Sequence, residues 1–127
     1  MGRFSDDPPE QRRLPRFKTN IHAVASLVRD SDIVPFPARC ETISEGGIGA
    51  RGRRLDSLVA GDLVVLELYI PLLNHAFTAN SIVRYVEDRR RIPRCGLQFL
   101  SLTDGQRALI KRYCQFLPSK RRWWFWS

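Results

Sequence analysis

Short segments in which apolar and polar residues alternate follow one another along most of the chain. The first runs from Asn20 to Val28, and its inward face is apolar: Ile21, Ala23, Ala25 and Leu27. A period of two is the pattern of a half-buried β-strand. Glycine-containing turns such as 44–47 and 60–62 separate the segments. The pattern predicts further strands over residues 33–43, 48–51, 63–70, 76–86 and 92–100.

The period changes after the last predicted strand. Thr103 is a suitable helix N-cap, and Pro118 is placed to end the helix. Apolar residues between them recur at helical spacing: Leu109, Ile110, Tyr113 and Phe116. Six strands followed by one helix predict an all-β fold, a six-stranded antiparallel β-barrel with one C-terminal helix packed on it.

The 127 residues suit one domain with two polar ends. We expect a flexible tail over residues 1–11, a domain over 12–117 and a basic, aromatic tail over 118–127. Within the domain, an arginine arm occupies 12–16, the barrel about 17–101 and the helix about 103–117. The N-terminus has no apolar core typical of a signal peptide, so we expect a cytoplasmic protein.

Arginine dominates the charge of the chain. Lysine and arginine number 21 against 13 acidic residues, which gives a formal net charge of +8. Only Lys18, Lys111 and Lys120 are lysine. Guanidinium groups grip phosphate and guanine edges through two hydrogen bonds. The balance indicates a nucleic acid, a nucleotide or an anionic membrane as partner, and a solvated basic surface remains the alternative.

The residues that most often carry catalysis are scattered. Cys40, Cys95 and Cys114 fit neither a disulfide framework nor a zinc site, and we expect reduced, partly buried thiols. His22 and His75 have no nucleophile or acid nearby in the sequence. Paired carboxylates, metal-ligand spacing and phosphate-binding loops do not appear. The sequence therefore favours a binding protein over an enzyme, with no catalytic residue, metal or cofactor.

Three arginines lie together just before the first predicted strand. Pro15 disfavours a helix there, so Arg12 and Arg16 point to the same side of an extended segment, and Arg13 lies beside them. The pair can clamp a phosphodiester or the O6/N7 edge of a guanine. An ordinary basic arm is the alternative.

A second candidate site is the turn Thr42-Ile43-Ser44-Glu45-Gly46-Gly47. Its glycines allow close approach, so that backbone N–H groups and the Ser44 hydroxyl can reach a phosphate or a base. A plain β-turn is the alternative.

Together, Arg12-xxx-Arg16 and Thr42-x-Ser44-xx-Gly47 resemble the PilZ family, whose pattern is RxxxR followed by [D/N]xSxxG. The likeness spans about 12–117 and includes the segments 61–68 and 95–99. It implies a six-stranded barrel with a C-terminal helix and a bacterial receptor for cyclic di-GMP.

The resemblance assigns a role to each matching residue. Arg12 and Arg16 would hold phosphates and the Hoogsteen edges of guanine, and Arg13 would assist or stack on a base. Ser44 and the backbone near Gly47 would contact the ligand from the barrel. Thr42 departs from the family's Asp or Asn, and losing one charge-assisted hydrogen bond costs about 1.5–3 kcal/mol.

Other basic and aromatic residues are weaker ligand-binding candidates: Arg51, Arg84 and Tyr85. Arg84 and Tyr85 are adjacent in a predicted strand, so alternation lets only one face the ligand. Arg89, Arg90, Arg91 and Arg94 are expected to form a solvated hairpin turn.

The C-terminal tail places Lys120, Arg121 and Arg122 before four clustered aromatic residues, Trp123 to Trp126. This composition suits peripheral membrane contact or a protein partner. The alternative is that the rings fold back onto the barrel, since exposed aromatics reduce solubility.

The sequence thus predicts a cyclic di-GMP receptor whose arm orders on binding and alters the surface shown to a downstream protein partner. One alternative is a PilZ-like protein-interaction domain with weak or lost ligand binding. The other is a basic barrel that binds RNA or DNA.

Overall fold

The computed structural model describes residues 15–87 and 92–118. Six antiparallel strands close into a barrel, as predicted, and their order around it is β1-β2-β3-β6-β5-β4. The strands are β1 Phe17–Arg29, β2 Asp32–Ile43, β3 Gly47–Arg51, β4 Leu63–Leu68, β5 Phe77–Glu87 and β6 Arg94–Phe99. A turn of 3-10 helix at Leu55–Ser57 joins β3 to β4, and helix α1, Asp104–Gln115, follows β6.

The alternating segments build the core. Ile21, Ala23, Ala25 and Leu27 are all buried, which confirms the predicted inward face of β1. In β4, Val64, Leu66 and Leu68 are at most 2% exposed and fill the barrel from the neighbouring strand. Each large side chain buried in this way contributes about 1.5–3 kcal/mol.

Helix α1 is capped and docked by side-chain hydrogen bonds. Thr103 Oγ1 accepts from the Gln106 N–H at 3.0 Å, and Gln106 Oε1 accepts from the Thr103 N–H at 3.1 Å. This reciprocal pair confirms Thr103 as the N-cap. Gln106 Nε2 also donates to the Thr78 carbonyl at 2.8 Å, which ties the helix to β5. Ile110, on the inward face of the helix, is fully buried.

Two prolines lie in the part of β2 that does not pair with β3. Strand β3 pairs only with residues 39–43 of β2. Pro35 and Pro37 lie in the preceding part of β2, where a missing N–H costs no hydrogen bond to β3.

Several strand boundaries differ from the predicted ones, and two strands start two or more residues away from the predicted start. Strand β1 begins at Phe17 instead of Asn20, because Phe17 and Lys18 pair with Ile43 and Thr42. Strand β6 begins at Arg94 instead of Ile92, because Pro93 has no N–H to donate to the ladder. In the described part of the chain, no helix has the length and apolar character needed to span a bilayer.

Candidate functional site

The β1–β2 ladder brings the end of the arginine arm to the glycine turn. Phe17 pairs with Ile43, and Lys18 pairs with Thr42. Arg16 precedes Phe17 and is half-buried, so its backbone lies at the end of the ladder beside Ser44. Residues separated by 28 positions in the sequence therefore meet at one end of the barrel. Arg12 and Arg13 lie outside the described residues.

Ser44 shapes the turn from within. Its side chain and backbone are 5% exposed. The Ser44 N–H donates to the Gly47 carbonyl at 2.9 Å, and Ser44 Oγ accepts from the Gly46 N–H at 3.1 Å. The Phe99 N–H donates to the Gly46 carbonyl at 2.9 Å, which fixes the turn to β6. The hydroxyl thus holds the turn closed, and its contact with a ligand stays a prediction.

Gly47 is required by the packing of β3 against β6. A Cβ at this position would lie 2.1 Å from the Leu97 carbonyl oxygen. That distance is far shorter than a van der Waals contact, and the obstacle is backbone. Gly47 therefore allows the close approach of a neighbouring strand, and the contact of its backbone with a ligand stays a prediction.

A row of four residues, two of them glycines, crosses four strands beside the turn. Thr42 pairs with Gly49, Gly49 with Gly96, and Gly96 with Tyr85. A Cβ on Gly49 would lie 2.7 Å from Thr42 Oγ1, and one on Gly96 would lie 2.2 Å from a Tyr85 ring carbon. The two glycines let Thr42 and Tyr85 lie flat against the barrel. Tyr85 remains 41% exposed.

A β-bulge flanks this row on its β5 side. Val83 pairs with Leu97 and Tyr85 with Gly96, which leaves Arg84 as the extra residue. Val83 and Val86 both pack against the core, so Arg84 and Tyr85 lie together between two inward residues. The bulge interrupts the strict alternation on which the prediction for this pair relied, and which of the two side chains faces the ligand stays a prediction.

Strand β2 has a matching irregularity at Glu41. Cys40 pairs with Ala50 and Thr42 with Gly49, so Glu41 is the additional residue. Bulges occur often beside binding sites, where they redirect side chains. Here the bulge leaves Cys40 and Ile43 buried and turns Glu41 and Thr42 outward.

Glu41 holds two guanidinium groups next to the row. Its carboxylate lies 3.0 Å from Arg51 Nε and 3.5 Å from Arg94 Nε. Arg39, opposite Arg51, donates through Nε to Asn20 Oδ1 at 2.9 Å. Three arginines thus lie beside one another, and the Glu41 carboxylate pairs with two of them, so this surface carries excess positive charge. Arg94 belongs to β6 and an ion pair, which corrects the expectation of a solvated turn, whereas residues 89–91 lie outside the described residues.

A cavity of about 370 Å³ opens beside the arm and the turn. Its walls include Pro15, Phe17 and Glu45 on one side and Lys111 and Cys114 of α1 on the other. Pockets that hold small ligands have volumes of this order. The cavity joins the arm, the turn and the helix at one end of the barrel.

The three thiols are protonated at neutral pH. Burial raises the pKa of Cys95 to about 12 and that of Cys114 to about 11, with a smaller contribution from Glu45 to the latter. Burial raises the pKa of Cys40 further still. A thiol in this state is a poor nucleophile and metal ligand. Among the described residues, no three potential metal-ligating side chains are grouped.

Sequence reasoning missed three residues of this surface: Lys18, Glu41 and Gly96. A usable signal was present for the bulges. Buried Cys40 and Ile43 are three residues apart, as are Val83 and Val86, and a spacing of three within a strand breaks the period of two.

A family model for the PilZ domain matches residues 10–116. The chain belongs to the PilZ domain family. The match includes the arginine arm and the glycine turn, and it agrees with the barrel and helix described above.

Solved structures share this PilZ fold at low sequence identity. The PilZ domain with c-di-GMP of YcgR from Escherichia coli is 17% identical, with a TM-score of 0.68 over 84% of this chain and 91% of that chain. The Bacillus subtilis inhibitor of motility MotI is 16% identical, with a TM-score of 0.66. The match covers 81% of this chain and 49% of MotI.

The MrkH–c-di-GMP complex of K. pneumonia is 20% identical, with a TM-score of 0.60 over 79% of this chain and 49% of that chain. This PilZ chain therefore spans about half the length of MotI and MrkH. A comparison with curated proteins gives no significant match.

Proposed function

We propose that this PilZ domain is a receptor for cyclic di-GMP. The observation that carries the proposal is the pairing of Phe17 with Ile43, which places Arg16 beside the Thr42–Gly47 turn. The ladder thus brings Arg16, the last residue of the first half of the family's ligand motif, to the second half. Solved PilZ structures with the same fold, those of YcgR and MrkH, contain c-di-GMP.

The proposed site divides the ligand between the arm and the barrel. Arg12, Arg13 and Arg16 hold phosphates and guanine edges through guanidinium forks. On the barrel, the Thr42 hydroxyl supplies a neutral hydrogen-bonding group, and the Ser44 turn presents backbone groups. The Tyr85 ring, lying over Gly96, offers a flat surface on which a base can stack.

Charge around the row supports an anionic ligand. The two positive charges of Arg51 and Arg94 exceed the single negative charge of Glu41. Lys18 adds a further positive charge across from Thr42. A surface with excess positive charge raises the local concentration of an anion and speeds its association. Arg51 therefore contributes to the field at the site while it remains paired with Glu41.

Binding transmits a signal through the arm in this proposal. The arm enters β1 beside the cavity between the Glu45 turn and Lys111 of α1. A ligand that bridges the arm and the turn orders the arm against this end of the barrel. The altered surface is then available to a downstream protein partner. Limited proteolysis tests this step, since ligand should protect cleavage sites in the arm.

One titration series separates this function from its two alternatives. The protein is titrated with cyclic di-GMP and with unrelated RNA and DNA oligonucleotides at two salt concentrations. A receptor binds cyclic di-GMP and discriminates against the oligonucleotides. A basic nucleic-acid-binding barrel binds every oligonucleotide with steep salt dependence. A protein-interaction domain, which the neutral Thr42 favours, gives no binding to any of them.

A further inference from the structure

An apolar groove separates the β4–β5 loop from helix α1, away from the arm and the turn. It has a volume of about 200 Å³. The loop contributes Ile70, Pro71, Leu72 and Leu73. The helix contributes Leu109, Arg112 and Tyr113, and Phe116 follows directly after it. Nothing in the proposed cyclic di-GMP site uses this groove.

The groove presents two large apolar side chains to the surface. Leu72 is 85% exposed and Phe116 is 71% exposed. Each stands at one wall, Leu72 on the loop and Phe116 just after α1. Exposed apolar side chains grouped around a groove mark an interaction site more often than isolated ones do.

Leu72 adopts a backbone conformation that is unfavourable for leucine. The Leu73 N–H donates to the Ile70 carbonyl at 3.2 Å, so Ile70 to Leu73 form a turn with Pro71 at its second position. Leu72 has a φ of 81°. That position of a type II turn favours glycine, which accepts a positive φ without strain. The chain thus places an exposed leucine where glycine suits the backbone.

We propose that the groove binds the chain's own aromatic segment, Trp123 to Trp126. This segment lies outside the described residues. The last described residue before it is Pro118, which is two residues after Phe116. Trp123 is five residues beyond Pro118, and five extended residues reach about 17 Å. The distance along the helix axis from Leu109 to Phe116, which follows the helix, is about 10 Å, so this wall of the groove lies within that reach.

The chemistry of the segment matches that of the groove. Indole and phenyl rings gain from burial against the Leu72 and Phe116 side chains. Arg112 at the groove wall offers a guanidinium for a cation–π contact with an indole.

Tryptophan fluorescence tests the proposal directly, because all three tryptophans of the chain lie in this segment. The intact chain should emit at short wavelength and be weakly quenched by acrylamide. Leu72→Gly removes the side chain yet suits the turn, so this variant stays folded. It should shift the emission to longer wavelength and raise quenching towards that of free N-acetyltryptophanamide, and Phe116→Ser should do the same.

Val59→Gly is the matched control. Val59 is a 58% exposed loop residue that precedes β4, whereas Leu72 follows that strand. The control should leave the emission of the intact chain unchanged. Unfolding midpoints measured by circular dichroism confirm that each variant is folded under the conditions used.

Three results would overturn the proposal. The first is that the emission wavelength of the intact chain already matches that of free indole in water, or that neither groove variant changes this wavelength. The second is emission that moves to shorter wavelength only when phosphatidylglycerol vesicles are added, which assigns the segment to a membrane surface. The third is emission that shifts on dilution, which places the segment in the groove of a second copy.

Discussion

Thr42 Oγ1 occupies the space that a side chain at Gly49 would need, since a Cβ there would lie 2.7 Å away from it. The glycine therefore lets the Thr42 side chain lie against the barrel at the position where the family's carboxylate or amide is expected. The departure from the family pattern changes the chemistry of this position and leaves its place in the sheet intact. Lys18, across from Thr42 in the ladder, keeps a cation next to it.

Replacing Thr42 with the family's residue should strengthen ligand binding. In Thr42→Asp, a carboxylate can accept from the N1 and N2 groups of guanine. One charge-assisted hydrogen bond is worth about 1.5–3 kcal/mol, which is about one to two decades in Kd. Calorimetry with cyclic di-GMP measures the change, with Thr42→Val as a control of similar shape that should not gain affinity. Unchanged or weaker binding by Thr42→Asp would show that this position does not face guanine.

Removing the carboxylate between Arg51 and Arg94 should make the site more cationic. Glu41→Gln keeps the side-chain shape but leaves both guanidinium groups without an acidic partner at 3.0 Å and 3.5 Å. We expect tighter binding of cyclic di-GMP at low salt and a steeper loss of affinity as salt rises. Because these groups are partly exposed, the stability should change by no more than about 1 kcal/mol. Asp56→Asn, which removes an exposed carboxylate elsewhere, should not reproduce the change in salt dependence.

Two glycine-to-alanine substitutions should change stability in opposite directions. Gly47→Ala forces a Cβ within 2.1 Å of the Leu97 carbonyl and should destabilise the barrel by about 1–3 kcal/mol. In Gly105→Ala, the nearest atom to the new Cβ is Thr103 Oγ1 at 3.9 Å. Gly105 lies within α1, so alanine should stabilise the protein by about 0.5–1 kcal/mol. Urea denaturation measures both, and a neutral Gly47→Ala would contradict the close packing of β3 and β6.

Alkaline pH should weaken the fold through the buried thiols. Burial raises the pKa of Cys95 from 9.0 to about 12, so the folded state keeps a proton that the unfolded state releases. Stability is thus fully present below about pH 9 and is lost as pH rises from there towards 12. Each thiol affected adds a slope of at most about 1.4 kcal/mol per pH unit.

Urea denaturation between pH 8 and 11 measures that slope. Cys95→Ala should have lower stability at neutral pH, because it leaves a small cavity, and a shallower decline above pH 9. Parallel declines in both proteins would show that Cys95 ionises normally in the folded state. Thiol labelling at pH 7.5 offers a second check, since Cys114, which borders the cavity, should react before Cys40 and Cys95.

The alternation of residues was sufficient to predict the strands and the inward face of β1. Thr103 was recognisable as an N-cap because its hydrogen bonds are made within one turn of α1. The barrel was predicted from the number of strands and was also implied by the resemblance to a family. The strand order was not predicted, since pairing between distant strands leaves no local trace. The prediction of β1 from Asn20 missed Phe17 and Lys18, whose pairing depends on β2.

The candidate site was predicted less completely than the fold. Arg16, Thr42, Ser44 and Gly47 were recognised through a motif, and the ladder brings them together. The contacts of Glu41 with Arg51 and Arg94 join three strands, so no local pattern predicts them. The neighbouring positions of Arg84 and Tyr85 depend on a bulge, and one inserted residue reverses which side chains face outward.

The central claim is that Arg16 and the Thr42–Gly47 turn form one ligand site. Isothermal titration calorimetry with cyclic di-GMP tests it most directly, on the unmodified chain, on Arg16→Ala and on Arg107→Ala. Arg107 is an exposed arginine of α1, and its replacement by alanine removes one positive charge, as Arg16→Ala does. The account predicts that Arg16→Ala loses about 1.5–3 kcal/mol, or one to two decades in affinity, while Arg107→Ala binds as the unmodified chain does. Equal binding by all three proteins would contradict it.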